Sequence, residues 1–268
     1  VEQKHIFICK DRVKMKKNFI NLILLIMIVS SGVCYAGSLT VESDSQEFKD
    51  SDKKIYLEGN VKIKNNDANV MSPRAVVELD PKNNKVNKVE FKEQAYSWQL
   101  KDGKKHEIKA QILKMSLLNK VFTAEGKTIS SITEKDKPVV IVTADRQEYN
   151  KTTNVMKAFG NVNILYKDVE TFSSEAFVYL NDKNDVKKID LIGNAKLHKG
   201  KNKINAKKVT YDNIKEEAVA TGNVYTDLTT EDEKRVEIWS DYQSYNKKAN
   251  FVNAAGSTKI IYEDYTAT

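Results

Sequence analysis

A short glycine-centred signature recurs along this 268-residue chain at nearly constant spacing. Gly-Asn-Val or a close variant stands at Gly59-Asn60-Val61, Gly160-Asn161-Val162, Gly193-Asn194-Ala195 and Gly222-Asn223-Val224. Degenerate copies are Glu93-Gln94-Ala95, Gly126-Lys127-Thr128 and Gly256-Ser257-Thr258. The steps between copies are 34, 33, 34, 33, 29 and 34 residues. A fixed period of this size means one supersecondary unit stacked on copies of itself, because no single unit can bury its apolar face alone. About seven such units, each of roughly 33 residues, run from the first copy to the chain end.

The residues around each glycine say what the unit is. Positions of the glycine's own parity are apolar: Ile55, Leu57, Val61, Ile63 in one copy, and Met156, Ala158, Val162, Ile164 in another. Ile189, Leu191, Ala195, Leu197 and Ala218, Ala220, Val224 repeat the pattern, and the positions between are mostly Lys, Asn, Asp, Glu or Thr. Strict period two marks a strand with one face on a core and one in water. A parallel sheet covered on both faces would read as continuous apolar runs, so the sheet is expected to be antiparallel. Glycine in mid-strand on the inward side implies a bend, a bulge or a close approach of backbone.

A second landmark is a small residue, four variable ones, then Tyr and a polar turn. It occurs at Ala144 to Tyr149, Ser174 to Tyr179, Ala206 to Tyr211 and Ser240 to Tyr245, and more weakly at Ser72 to Val77 and Ala110 to Met115. Asp80-Pro81-Lys82-Asn83-Asn84 and Asn150-Lys151-Thr152-Thr153-Asn154 are turn chemistry. Each unit therefore reads as two strands joined by polar turns, in an all-β chain.

The first 36 residues read as an export address. Met15-Lys16-Lys17-Asn18 precedes an apolar run from Phe19 to Val33, and Val33-Cys34-Tyr35-Ala36 offers a small-x-small cleavage site. The run is shorter than the about 20 apolar residues a span needs. The fourteen residues before Met15 read as lying upstream of the true start. With cleavage after Ala36, 38 basic residues face 35 acidic ones, so the net charge drops from +7 to about +3 and the case for a nucleic-acid partner goes with it. Both cysteines, Cys9 and Cys34, fall in the removed segment, leaving residues 37–268 as one thiol-free domain.

Catalytic chemistry has little to work with. His106 and His198 are the histidines of that domain, about 90 residues apart, whereas a zinc site needs three or four ligands at defined spacing. Acidic residues such as Asp80, Glu125, Asp182, Asp185, Glu216 and Glu217 fall at outward positions or in turns. No catalytic residue, metal or cofactor is assigned, and the chain is read as a non-enzyme.

Taken together, the glycine-centred strands, the small-x4-Tyr strands and the export segment resemble the LptA/OstA family of periplasmic lipopolysaccharide-transport proteins, over residues 38–262. The resemblance implies a long, twisted, open antiparallel β-jellyroll whose apolar interior shields lipid A acyl chains. It also implies head-to-tail stacking with further copies, and LptC-like and LptD-like partners, by strand addition at the terminal edges, residues 38–64 and 236–262. On that reading the lipid-binding interior comprises Ile55, Leu57, Val61, Ile63, Phe91, Met156, Val162, Ile164, Ile189, Leu191, Leu197, Val224 and Ile238. Lys62, Lys64, Lys196, Lys199 and Lys201 are rim cations that would meet headgroup phosphates. Two other readings stand beside it: a membrane-anchored LptC-like subunit, if the N-terminal segment is retained, and a structural or adhesive β-repeat protein with a closed core.

Overall fold

The structure, a computed structural model, describes residues 40–64, 68–101, 103–166, 168–181, 186–230, 233–246, 248–249, 251–263 and 265–267. The predicted export segment, residues 1–36, lies outside them, as do Asp182 and Asp185. The described residues form one antiparallel sheet of 17 strands and no helix. The first strands are β1 (Thr40–Glu42), β2 (Ser45–Lys49), β3 (Lys54–Lys64), β4 (Ala68–Leu79), β5 (Val86–Lys101) and β6 (Lys104–Ser116). They are followed by β7 (Val121–Glu134), β8 (Lys137–Asn150), β9 (Val155–Tyr166), β10 (Val169–Leu180), β11 (Val186–Lys199) and β12 (Asn202–Asp212). The chain closes with β13 (Glu217–Thr229), β14 (Arg235–Asn246), β15 (Phe251–Ala255), β16 (Lys259–Tyr262) and β17 (Tyr265–Ala267).

From β3 to β14 each strand pairs with the one before and the one after it. At the ends the partners are broken in two: β1 and β2 both lie on β3, and β15 and β16 both lie on β14. The turns follow the expected chemistry. Asp80, Asn150, Asp212 and Asn246 each accept a hydrogen bond from a backbone N–H two or three residues on.

Six of the seven signature copies are bulges within a strand, and the seventh, Gly256-Ser257, falls between β15 and β16. Gly59-Asn60 on β3 stands opposite the single residue Pro73 of β4, Gly126-Lys127 opposite Asp145, and Gly193-Asn194 opposite Lys207. Both bulge residues have positive φ, for example 71° and 48° at Gly160-Asn161. Asn tolerates this left-handed region better than most residues. Asn60 and Asn161 gain a further hold, donating from Nδ2 to Asp44 and Asp145 at 2.9 Å. Glu93-Gln94 adopts the same conformation without glycine, with φ of 65° and 64°, and Glu93 is ion-paired to Arg74.

A bulge bends its strand, and here the bends line up across the sheet. The sheet folds over along that line into two walls with apolar faces turned inward. The first wall carries the half of each strand near Leu57; the second carries the half near Val61. Side chains from both walls meet in the same core clusters, Leu57, Val77 and Phe91 packing with Val61, Ile63 and Val70.

Parity explains why the two strand types look different in sequence. Two residues in the bulge keep period two intact across the odd-numbered strands, so Leu57 and Val61 both face in. The facing strand has one residue where its partner has two, and its inward pattern slips by one. Its inward positions are therefore Ser72 and Ala75, Ala144 and Gln147, Ala206 and Val209, three apart. One copy of the motif is offset by a residue. In β10 it is Ser173 and Val178 that face in, while Ser174 is exposed and Tyr179 lies outside beneath Lys188 Nζ, 5.2 Å from the ring centroid.

The bulge glycines can be tested against a control. A Cβ on Gly193 would stand 2.7 Å from Ser174 Oγ and 2.8 Å from its Cβ, whereas one on Gly200 would meet nothing within 4 Å. Both glycines have positive φ. Gly200→Ala is expected to lower unfolding stability by roughly 1–2 kcal/mol, the left-handed penalty alone. Gly193→Ala should cost clearly more in the same urea titration; equal losses would show that the close approach across the bulge contributes nothing.

Candidate functional site

The interior is lined by rows of side chains, one contributed by each successive strand. On the first wall, the inward row nearest the bend runs Leu57, Ala75, Phe91, Leu113, Ala124, Gln147, Ala158, Ala176, Leu191, Val209, Ala220, Gln243. On the second wall an equivalent row includes Ile63, Val70, Val142, Ile164, Leu197, Ile204 and Ile238. All thirteen residues assigned to the interior from sequence face inward. Leu57, Val61, Ile63, Phe91, Val162, Ile164, Leu191, Val224 and Ile238 are buried, and Ile55, Met156, Ile189 and Leu197 are half-buried.

The interior is not uniform. Eleven buried residues around β3–β6 form a first cluster that includes Phe91 and Met115, both less than 2% exposed. Leu79, Val86 and Leu117 pack at its margin by the turns. A second cluster of eleven spans β8–β13, and six of its members are alanine. Around it Val142, Ile189, Leu197 and Ile204 are half-buried, so apolar side chains on both walls keep part of their surface accessible. Sequence reading missed the alanines and valines of the even-numbered strands, such as Ala144, Ala176 and Val209. Their signal was the odd spacing of the small-x4-Tyr motif.

Glutamine side chains of the first wall cross the interior at Gln147 and Gln243. Gln147, on the first wall, accepts from Ser130 Oγ at 2.8 Å and donates to Thr128 Oγ1 at 2.8 Å and to the Val142 carbonyl at 3.2 Å, all on the second wall. Gln243 repeats this, accepting from Thr226 Oγ1 at 2.6 Å and donating to the Ile238 carbonyl at 3.2 Å. These struts lie at either end of the second cluster. Ser173 Oγ, inside it, is buried and has no hydrogen-bond partner.

The outer face is charged and paired. Lys114 reaches Glu125 at 2.5 Å, Arg146 reaches Glu148 at 2.5 Å and Lys157 reaches Glu148 at 3.6 Å. Such exposed pairs are worth at most about 1 kcal/mol each and serve mainly to keep this face wet. Of the cations assigned to rims, Lys62 and Lys196 instead lie on the outer face of the second wall, beside inward Ile63 and Leu197. Lys64, Lys199 and Lys201 stand at its turn margin, Lys199 3.4 Å from Asp168. His198 packs against Phe172 with ring centroids 5.7 Å apart. Among the described residues no group of three or more His, Cys, Asp or Glu is placed to hold a metal ion.

Both ends of the sheet carry unpaired edges among the described residues. At one end β1 and β2 pair only with β3; at the other β15 pairs only with β14, and β17 only with β16. Apolar residues sit exposed there: Phe48 at 53%, and Phe251 and Val252 at 61% and 42%. Phe48 lies beside Ile55 and Val252 beside Tyr245, so the outermost inward row of the first wall runs on to both ends.

A single antiparallel meander, folded along a line of bulges around an apolar interior and unpaired at both edges, defines an open β-jellyroll. The family described as LptA/(LptD N-terminal domain) LPS transport protein matches residues 40–137 and 141–251. The chain therefore belongs to this family of lipopolysaccharide-transport proteins. Among solved structures, it is similar to LptH, the LptA homologous periplasmic component of the lipopolysaccharide transport device of Pseudomonas aeruginosa. That match has 12% identity and a TM-score of 0.41 and covers 48% of this chain and 95% of that one. No curated protein is matched in sequence.

One outer carboxylate ties the wall behind the second cluster together. Asp190, beside inward Ile189 and Leu191, is 4% exposed and accepts from Thr210 Oγ1 at 2.7 Å and Lys188 Nζ at 3.0 Å. Burial pushes its pKa up, but these two bonds outweigh that and leave it below its ordinary value. A lowered folded-state pKa adds stability above the unfolded-state value and loses it as pH falls through the folded one. Asp190→Asn is expected to destabilise the protein at neutral pH, with the gap from the unsubstituted protein closing below about pH 4. A gap that is flat from neutral pH down through that range in chemical denaturation would rule this out.

Proposed function

We propose that the chain is a periplasmic carrier of lipopolysaccharide that acts by binding, with no catalytic step. Lipid A acyl chains would lie between the two walls, and transport would run along a line of protomers joined by strand addition. The observation that carries this reading is the half-buried apolar lining of both walls around the second cluster, at Met156, Ile189, Leu197 and Ile204. A closed core has no reason to leave apolar side chains partly wet on two facing surfaces. Each acyl CH₂ buried there contributes about 0.8 kcal/mol without any specific polar contact. A photo-crosslinking residue at Ile189 or Leu197 should capture lipopolysaccharide, and one at outward Lys196 should not. Silence at both inward sites in a folded protein would favour a closed structural repeat instead.

The edges supply the partner half of the proposal. Unpaired strands template addition of another strand, and exposed Phe48 and Val252 would extend the apolar row of one protomer into the next. Further copies and LptC-like or LptD-like jellyrolls are the partners that fit these ends. Phe48→Asp and Val252→Asp, both at exposed sites, are expected to abolish concentration-dependent association in sedimentation while leaving thermal unfolding unchanged. Association that persists in both variants would exclude these edges as the joint.

A further inference from the structure

One lysine interrupts a row of leucines along the turn margin of the first wall. Where an even-numbered strand ends there, a backbone N–H at or just past its last residue donates to a carbonyl at the start of the preceding strand. The donors are Leu79, Leu117, Lys151, Leu180 and Asn213, with bonds of 2.8, 2.8, 3.0, 2.9 and 2.9 Å. Each stands two residues beyond the outermost inward side chain of its strand, as Lys151 does beyond Tyr149. Leu79 is buried and Leu117 packs against the first cluster. Lys151 takes the equivalent place and is half-buried, with Lys120 supplying the carbonyl.

Two cations are thereby set side by side where the apolar interior meets its margin. Tyr149, two residues before Lys151, stacks on Phe122, two residues after Lys120, with ring centroids 6.3 Å apart. Neither lysine has an acidic partner among the described residues. Like charges facing each other across a strand pair repel. Burial and the charge of Lys120 both hold the Lys151 ammonium below the ordinary lysine value. A lysine serving only solubility extends into water, as exposed Lys215 does at a later turn of the same margin.

We infer that Lys120 and Lys151 form a phosphate site at the first-wall margin, which takes a phosphate monoester of the lipid headgroup while the acyl chains lie inward of the stacked rings. The inference rests on the carrier reading above and adds a headgroup contact to it. A phosphate monoester carries about −1.5 to −2 charges at neutral pH. One such group offsets both ammonium charges and relieves their repulsion, which a single carboxylate cannot do. Lysine binds phosphate as a compact point charge, with no fixed geometry to satisfy. The cations expected from sequence to meet phosphates stand on the other wall, where Lys62 and Lys196 face outward and Lys199 lies 3.4 Å from Asp168.

The test measures binding of two probes to the full chain: diphosphorylated lipid A and the same lipid A stripped of its phosphates. The unsubstituted protein is expected to prefer the phosphorylated lipid by roughly ten-fold, the scale of one charge-assisted hydrogen bond. Lys151→Leu installs the residue found at three equivalent hairpins, so thermal unfolding should hold while that preference disappears and affinity for the stripped lipid stays. Lys215→Gln, the control for diffuse charge, should keep the preference. Equal binding of the two lipids, a preference that survives in K151L, or an equal loss in K215Q overturns the site and leaves the carrier reading standing. Inorganic phosphate that displaces the phosphorylated lipid at equal concentration reveals a free-phosphate site and overturns the headgroup assignment. Should K151L fail to fold, Lys120→Gln, at an exposed position, carries the same comparison, and an undiminished preference there overturns the site. No binding of either lipid overturns both readings.

Discussion

Everything in this molecule hangs on a pair of left-handed residues set against one. An antiparallel ladder left to itself is a twisted, two-faced ribbon, and a ribbon of 17 strands has far more apolar face than it can hide. The two-for-one bulges bend the odd-numbered strands near their middle, and the bends fall in register because a single even-numbered strand separates each bulge from the next at the same level. The sheet can then cover its own apolar face. The conformation asks for glycine and asparagine, which is why the signature is short and tolerant of what surrounds it. It also holds at Glu93-Gln94, where no glycine is present and an ion pair with Arg74 accompanies the bend.

The two core clusters are built from side chains of different size. Around β3–β6, Phe91, Met115, Val70 and Val89 fill the space between walls to near-zero exposure. From β8 onward alanine takes over the inward positions, and side chains beyond them stay half-buried. Glutamine amides hold the walls together at both ends of that alanine-rich stretch, and paired charges keep its outer face in water.

Much of this was legible in the residues, for a reason particular to the bulge. The bulge itself holds two residues, an even number, so the odd-numbered strands keep a clean alternation that reads directly as inside and outside. The strands facing them slip by one, and there the alternation misleads. In β10 it is Ser173 and not Ser174 that faces in, and Gln147 and Gln243 are buried struts. Which inward residues are sealed and which are partly open was not legible at all. That depends on the distance between walls, set jointly by side-chain volumes on strands far apart in sequence.

The order of pairing has a consequence for how the chain reaches this state. From β3 to β14 every strand rests on its immediate neighbours in sequence, with turns of a few residues between them. All-β proteins usually fold slowly because distant segments must find each other before any contact rewards the search. Here the loop to be closed is always short, and its entropic cost stays small and constant along the chain. A polypeptide delivered end-first could set down one hairpin after another, each using the last as its template, without waiting for its far terminus.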